Sequence, residues 1–138
     1  MPVRPTAPRM GPTAAPMAVT SISRGAIDDM SATTALDAVQ NIAGVQSAVG
    51  AFYDQFQIRG FGSGYGVSYR NGLQMEGLAD AVNMAFVDHI EVIKGPASML
   101  YGRVEPGGFV NIVTLQPEAE SHARAEQRFG SWGERRST

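Results

Sequence analysis

Ile90-Glu91-Val92-Ile93-Lys94-Gly95-Pro96-Ala97-Ser98-Met99-Leu100-Tyr101-Gly102 joins a strand, a sharp break and one helical turn within thirteen residues. Strand geometry sends Ile90 and Val92 to one face, and His89, Glu91 and Ile93 to the other, over an extended run from Phe86 to Lys94. Gly95-Pro96 ends that run. Proline has no amide proton and a fixed φ, which suits the first position of a helical turn through Ala97 to Tyr101, and Gly102 closes the turn. Pro106-Gly107-Gly108 makes a second turn and feeds an apolar strand from Phe109 to Leu115, ended by Pro117.

Upstream, Gly60, Gly62, Gly64 and Gly66 alternate with Phe61, Ser63 and Tyr65. Val67-Ser68-Tyr69 and Asn71-Gly72 follow, the latter predicting a tight reversal because both residues tolerate positive φ. Residues 73–86, rich in Met, Gly and Asn, predict an irregular loop. Val45 to Val49 and Gln55 to Arg59 are short strand candidates. Thr34 and Asp37 have capping-box spacing, Ala32, Leu36, Val39 and Ala43 recur at helical intervals and Gly44 supplies a stop, so a helix is expected on one face of a sheet. Ala18 to Ile22 predicts a strand, and Ser23 can cap a weak helical turn over Gly25 to Met30.

Short strands mixed with short helices, without an internal repeat, predict an α+β domain: a small mixed β-sheet with short helices over residues 17–117. Five of the eight prolines lie in residues 1–16, so that segment is expected to be extended and disordered. Residues 118–138 form a linker and then an alternating stretch, with Arg124, Glu126 and Arg128 opposite Ala123, Ala125, Gln127 and Phe129. Gly130-Ser131-Trp132-Gly133 makes a turn after it, with no returning strand expected.

Composition narrows the function. The 138 residues carry a net charge of −2 and no cysteine, which excludes disulfides, zinc-thiolate sites and a cysteine nucleophile and leaves no basic footprint for nucleic acid. No segment reaches the roughly 20 apolar residues of a spanning helix, and the opening residues lack the apolar centre of a secretory signal. The glycine run lacks the Lys-Ser/Thr of a phosphate loop. Ser98 lacks the Gly-x-Ser-x-Gly elbow of a serine hydrolase. His89 and Glu91 share a strand face while Asp88 opposes them, and two ligands do not make a metal site. Arg59 and Lys94 each end an apolar strand immediately before glycine, either as snorkelling cations or as docking groups for acids on another element.

The order of these motifs is specific. Ile58-Arg59-Gly60-Phe61, Tyr69-Arg70-Asn71-Gly72-Leu73, the Ile90–Gly102 string, Glu105-Pro106-Gly107-Gly108 and Val110-Asn111-Ile112-Val113-Thr114 together resemble the plug domain of TonB-dependent outer-membrane receptors, in the ferric-siderophore branch. The resemblance covers residues 17–117, and Arg128 to Gly133 resembles the start of that family's barrel. Asn71 stands where the family commonly has aspartate, and residues 1–16 hold no recognisable TonB-contact box.

The resemblance implies a gating and ligand-recognition domain rather than an enzyme. Its partners would be a 22-stranded barrel, its own or separately encoded, and TonB with ExbB and ExbD, in the cell outer membrane. The ligand would be a ferric siderophore, with no cofactor and no protein metal ligand because the iron arrives chelated. Arg59 and Lys94 fall where the family places basic residues that meet glutamates of the barrel wall. Apical loops would offer Tyr53, Gln55, Phe61, Tyr65, Met75 and Met84 to the ligand, and Gly60, Gly72, Gly95, Pro96, Gly102, Pro106, Gly107 and Gly108 would set turns. With a signal peptide and barrel both missing from the sequence, a chain that does not transport alone is expected. The alternatives are a free-standing soluble siderophore- or ligand-binding module and, less consistent with the motifs, a small hydrolase using Ser98.

Overall fold

A computed structural model describes residues 18–47, 56–62, 68–75, 82–95, 104–117, 127–133 and 135–137. Strands β1 (Ala18–Ile22), β6 (Val87–Lys94), β7 (Gly108–Thr114), β4 (Ser68–Arg70) and β5 (Leu73–Gln74) lie side by side in that order. β4 runs parallel to β7, and every other neighbour in this sheet is antiparallel. β2 (Val45–Ser47) pairs with β3 (Phe56–Ile58) in a separate antiparallel ladder. The sheet is mixed because the β4–β5 hairpin adds on the far side of β7, not beside the strand that follows it in sequence.

Both short helices start where their caps dictate. The Ser23 hydroxyl accepts from the Ala26 amide at the head of α1 (Arg24–Asp29). The Thr34 hydroxyl accepts from the Asp37 amide, and the Asp37 carboxylate accepts from the Thr34 amide, a complete capping box for α2 (Ala35–Val39). α2 is shorter than the apolar spacing from Ala32 to Ala43 predicts. Ile42 and Val45 donate to Val39 and Ile42 carbonyls in tight turns, so the chain leaves the helix to start β2.

The main core lies on one sheet face. Ile22, Ile90, Val92, Val110 and Ile112 from the sheet pack with Ile27 of α1, Ala35, Ala38 and Val39 of α2, and Val45, Phe56 and Ile58 of the small ladder. Burying one such aliphatic side chain is worth about 1.5–3 kcal/mol, so this layer outweighs the weak intrinsic propensity of two helices of one to two turns. A smaller cluster of Tyr69, Ile93 and Phe109, with Val104, covers the other face, with the Tyr69 and Phe109 rings 4.3 Å apart. Burial pushes the Tyr69 phenol above its ordinary value.

Four expectations are corrected. Phe86 belongs to a 3₁₀ turn, Met84–Phe86, and β6 starts at Val87. A bulge between Val87 and His89 turns Val87 to the same core as Ile90, which strict alternation does not allow. Residues 73–86 are not one loop, since Leu73–Gln74 pairs with β4 as a strand. Finally, a strand does return at the C-terminal end: β8 (Gln127–Phe129) pairs antiparallel with β9 (Arg135–Ser137). That return is polar, so no hydrophobic pattern marks it. Residues 1–16 and the helical turn expected after Gly95 lie outside the described residues.

At one sheet end the backbones nearly touch. A Cβ on Gly107 would sit 2.2 Å from the Ile58 carbonyl oxygen, and one on Gly108, at φ +122°, would sit 1.9 Å from that of Ile93. Gly108→Ala is therefore expected to cost about 3 kcal/mol in urea denaturation, since both the clash and the φ oppose it.

The capping box gives a second expectation. Burial raises the Asp37 carboxyl, but hydrogen bonds from the Thr33 hydroxyl and amide and from Thr34 outweigh it and leave the pKa below the ordinary 3.8. A carboxylate with a depressed folded-state pKa stabilises the fold above its unfolded pKa, and that stability is lost as pH falls through the folded value. The stability gap between the wild type and Asp37→Asn should accordingly narrow as pH drops below about 4. Thr34→Ala should cost about 1 kcal/mol at neutral pH by thermal melting.

Candidate functional site

The same sheet end carries two cations. Ile58-Arg59-Gly60-Phe61 closes as a two-residue reversal, the Ile58 amide donating to the Phe61 carbonyl at 2.8 Å and the Phe61 amide returning to Ile58 at 3.0 Å. Arg59 at φ 53° and Gly60 at φ 81° both adopt the left-handed backbone that this turn needs. Glycine does so freely, whereas for arginine it costs about 1 kcal/mol. The exposed Arg59 is held in place by its amide, which donates to the Gly44 carbonyl at 2.8 Å. Lys94, at the end of β6, reaches the Ala43 carbonyl with Nζ at 3.0 Å.

Two residues about 35 positions apart in sequence, Arg59 by its backbone amide and Lys94 by its ammonium, thus attach to consecutive carbonyls of one segment. Among the described residues Arg24 pairs with Asp28, His89 lies beside Asp88 and Glu91, and neither Arg59 nor Lys94 meets a carboxylate. The turn is seated on the β6–β7 connection, where Gly95 donates to the Gly107 carbonyl at 3.0 Å and Gly108 to that of Glu105 at 3.1 Å, leaving Pro106 exposed.

The six ligand-facing candidates separate. Phe61 is 49% exposed in the Arg59 turn. Met75 is half-buried just past β5, its amide donating to Ser68 at 3.0 Å. Met84 is corrected: it is 5% exposed inside the main core, because the 3₁₀ turn folds it under β6 instead of leaving it on a loop. Tyr53, Gln55 and Tyr65 lie outside the described residues, as do Pro96, Ser98 and Gly102.

A polar chain crosses the second sheet face. His89 Nδ1 lies 2.7 Å from Asp88 Oδ2, and His89 Nε2 lies 3.6 Å from Glu91 Oε1. Asp88 was expected to oppose His89, and the bulge beside it brings the two together. Glu91 Oε2 accepts from Asn111 Nδ2 at 2.9 Å, and Asn111 Oδ1 accepts from the Gly72 amide at 2.9 Å. Asn111, 6% exposed, is the buried polar side chain that links them, and the apolar strand around it conceals that role in the sequence. No trio of His, Cys, Asp and Glu spaced to hold a metal occurs among the described residues. Sequence reading also misses Arg24, whose Nη1 donates to the Met84 and Val87 carbonyls while Nη2 pairs with Asp28 at 2.8 Å.

A family model described as the TonB-dependent Receptor Plug Domain matches residues 12–109. The chain belongs to that plug family. The metal-pseudopaline receptor CntO of Pseudomonas aeruginosa is 50% identical over 62 residues, covering 45% of this chain and 9% of that protein. The ferrioxamine B receptor of Salmonella typhimurium is 33% identical over 129 residues, covering 87% of this chain and 18% of that receptor. The crystal structure of the ferric-catecholate import receptor Fiu from E. coli K12, open form, matches with a TM-score of 0.73 at 34% identity, over 87% of this chain and 18% of that one. The plug chain thus spans less than a fifth of the length of each of these relatives, all of them receptors and none an enzyme.

Strain at Arg59 sets up a test with an unusual sign. Arg59→Gly in the plug chain should leave stability unchanged or raise it by about 1 kcal/mol, by relief of the positive φ. Lys94→Ala should cost at most about 1 kcal/mol, the worth of one exposed hydrogen bond, both read from urea midpoints.

Proposed function

We propose that this chain serves as the plug of an outer-membrane receptor for ferric siderophores, closing the lumen of a 22-stranded barrel and contributing to ligand recognition. The carrying observation is the Arg59 turn: a strained, exposed arginine whose backbone is locked, beside a lysine tied to the same segment, with no carboxylate paired to either among the described residues. Strain kept at an exposed position favours a role outside the domain itself.

Glutamates on the inner barrel wall are the proposed counterparts. Pairs in a water-filled lumen contribute about 0.2–1 kcal/mol each, enough in combination to seat the plug and weak enough to rearrange. TonB, with ExbB and ExbD, would supply the work of rearrangement from the inner membrane. The ligand reaches the plug as metal enclosed in an organic chelate, so recognition falls to rings and amides rather than to metal-ligating side chains. Phe61, beside the cationic turn, and Met75 are the described residues proposed to face it, with Tyr53, Gln55 and Tyr65. The names of relatives support this class: a ferrioxamine B receptor, a metal-pseudopaline receptor and a ferric-catecholate import receptor.

In a receptor assembled with its barrel, Arg59→Ala combined with Lys94→Ala should raise outer-membrane leak of a small antibiotic that the wild-type receptor excludes. Leak equal to wild type, with equal receptor in the membrane, would show that these cations do not seat the plug. Ferric-siderophore binding to the same receptor, measured by titration, checks the ligand class, and Phe61→Ala should weaken it several-fold, about 1 kcal/mol of contact.

A further inference from the structure

The Asn71-Gly72 reversal joins β4 to β5, yet its polar atoms are tied to β7. The Asn71 amide donates to the Ile112 carbonyl at 3.0 Å. Asn71 Nδ2 donates to Thr114 Oγ1 at 2.9 Å, and Asn71 Oδ1 accepts from the Thr114 amide at 2.9 Å and from its hydroxyl at 3.2 Å. The Gly72 amide donates to Asn111 Oδ1 at 2.9 Å, and Asn111 is itself fixed by Glu91. Both turn residues are exposed, and a Cβ on Gly72 would meet nothing within 4 Å. Neither packing nor exclusion of water shields this pair, so only the hydrogen bonds hold it.

We propose that Asn71 is a spontaneous deamidation site that β7 holds in check, reacting when the β4–β5 hairpin lifts away from β7. The Gly72 nitrogen gives its proton to solvent base and attacks Asn71 Cγ, forming a C–N bond. The Cγ–Nδ2 bond breaks, and Nδ2 takes up a proton and leaves as ammonia. Water then opens the five-membered succinimide at either carbonyl, giving aspartate or isoaspartate. One water enters, one ammonia leaves, and nothing is oxidised or reduced.

Glycine at the next position leaves the attacking nitrogen unhindered, which makes the pair intrinsically reactive. In the fold that nitrogen is engaged through its proton by Asn111, and Cγ is held toward Thr114, so both restraints must release together. The two products have different consequences. Aspartate can still accept from the Thr114 amide and hydroxyl, so the hairpin recloses with one added negative charge. Isoaspartate puts an extra methylene into the backbone of the turn and displaces the Tyr69↔Gln74 and Arg70↔Leu73 pairing. Asn71 therefore records opening of this sheet edge, independently of which barrel or ligand the plug serves.

The full chain is incubated at neutral pH in native buffer and in urea, and the one-dalton mass gain is mapped to the peptide holding residues 71 and 72, with isoaspartate read by enzymatic methylation. The native chain should react at least about tenfold more slowly than the unfolded chain, because reaction requires local opening. Asn111→Ala should speed the native reaction about fivefold, the protection of one ordinary hydrogen bond, and leave the rate in urea unchanged. Asn71→Gln should abolish the gain. Where circular dichroism shows that Asn111→Ala does not fold, Thr114→Ala takes its place with the same expected acceleration. Equal rates in buffer and urea overturn the proposal, and so does a folded variant with the wild-type native rate.

Discussion

The antiparallel pairing of β6 with β7 is the constraint on which the remaining elements depend. Its central rungs, Ile90↔Ile112 and Val92↔Val110, put four fully or nearly fully buried aliphatic side chains on one face, and α1, α2 and the β2–β3 ladder all pack against them. Its end rung, Lys94↔Gly108, brings backbone so close to the Ile93 carbonyl that only glycine fits. One strand pair thus supplies both the hydrophobic platform and the tight corner beneath the Arg59 turn. Neither helix could persist without that platform, because five or six residues recover too few backbone hydrogen bonds to offset nucleation.

The corner also fixes two cationic residues on one segment. Two backbone hydrogen bonds between Ile58 and Phe61 close the Arg59 turn, a third ties the Arg59 amide to Gly44, and the Lys94 side chain is tied to the neighbouring carbonyl of Ala43. The opposite sheet face is organised by polar contacts, from Asp88 and His89 through Glu91 and Asn111 to Gly72. Buried Asn111 is tolerated in an apolar strand because its oxygen and one proton of its amide are both engaged. Through it, β6, β7 and the β4–β5 hairpin share a network, beside the Tyr69, Ile93 and Phe109 packing that anchors β4.

Local features were legible in the sequence because they depend on neighbours within a few residues. The Thr34–Asp37 capping box, the Ser23 cap and the Asn71-Gly72 reversal all form where their residue types predict. The alternation of Ile90 and Val92 against Glu91 and Ile93 also places the correct faces. What failed was long-range or irregular. The bulge after Val87 moved a phase, the polar return of β9 carried no hydrophobic signal, and Met84 read as a loop residue until β6 and α1 closed over it. The attachment of Arg59 and Lys94 to one segment was not readable either.

By itself, the sequence determined the family and the local grammar: which strands are apolar, where helices begin, and which glycine pairs turn. These follow from propensity, capping and sterics, whose range is a turn or a rung. Only the tertiary structure decided that β4 would lie parallel to β7, and with it that Asn111 would meet Gly72 and Asn71 would meet Thr114. Partners separated by about 40 residues in sequence leave no periodic trace, because strand order in a mixed sheet is chosen by the packing of whole faces rather than by any local pattern.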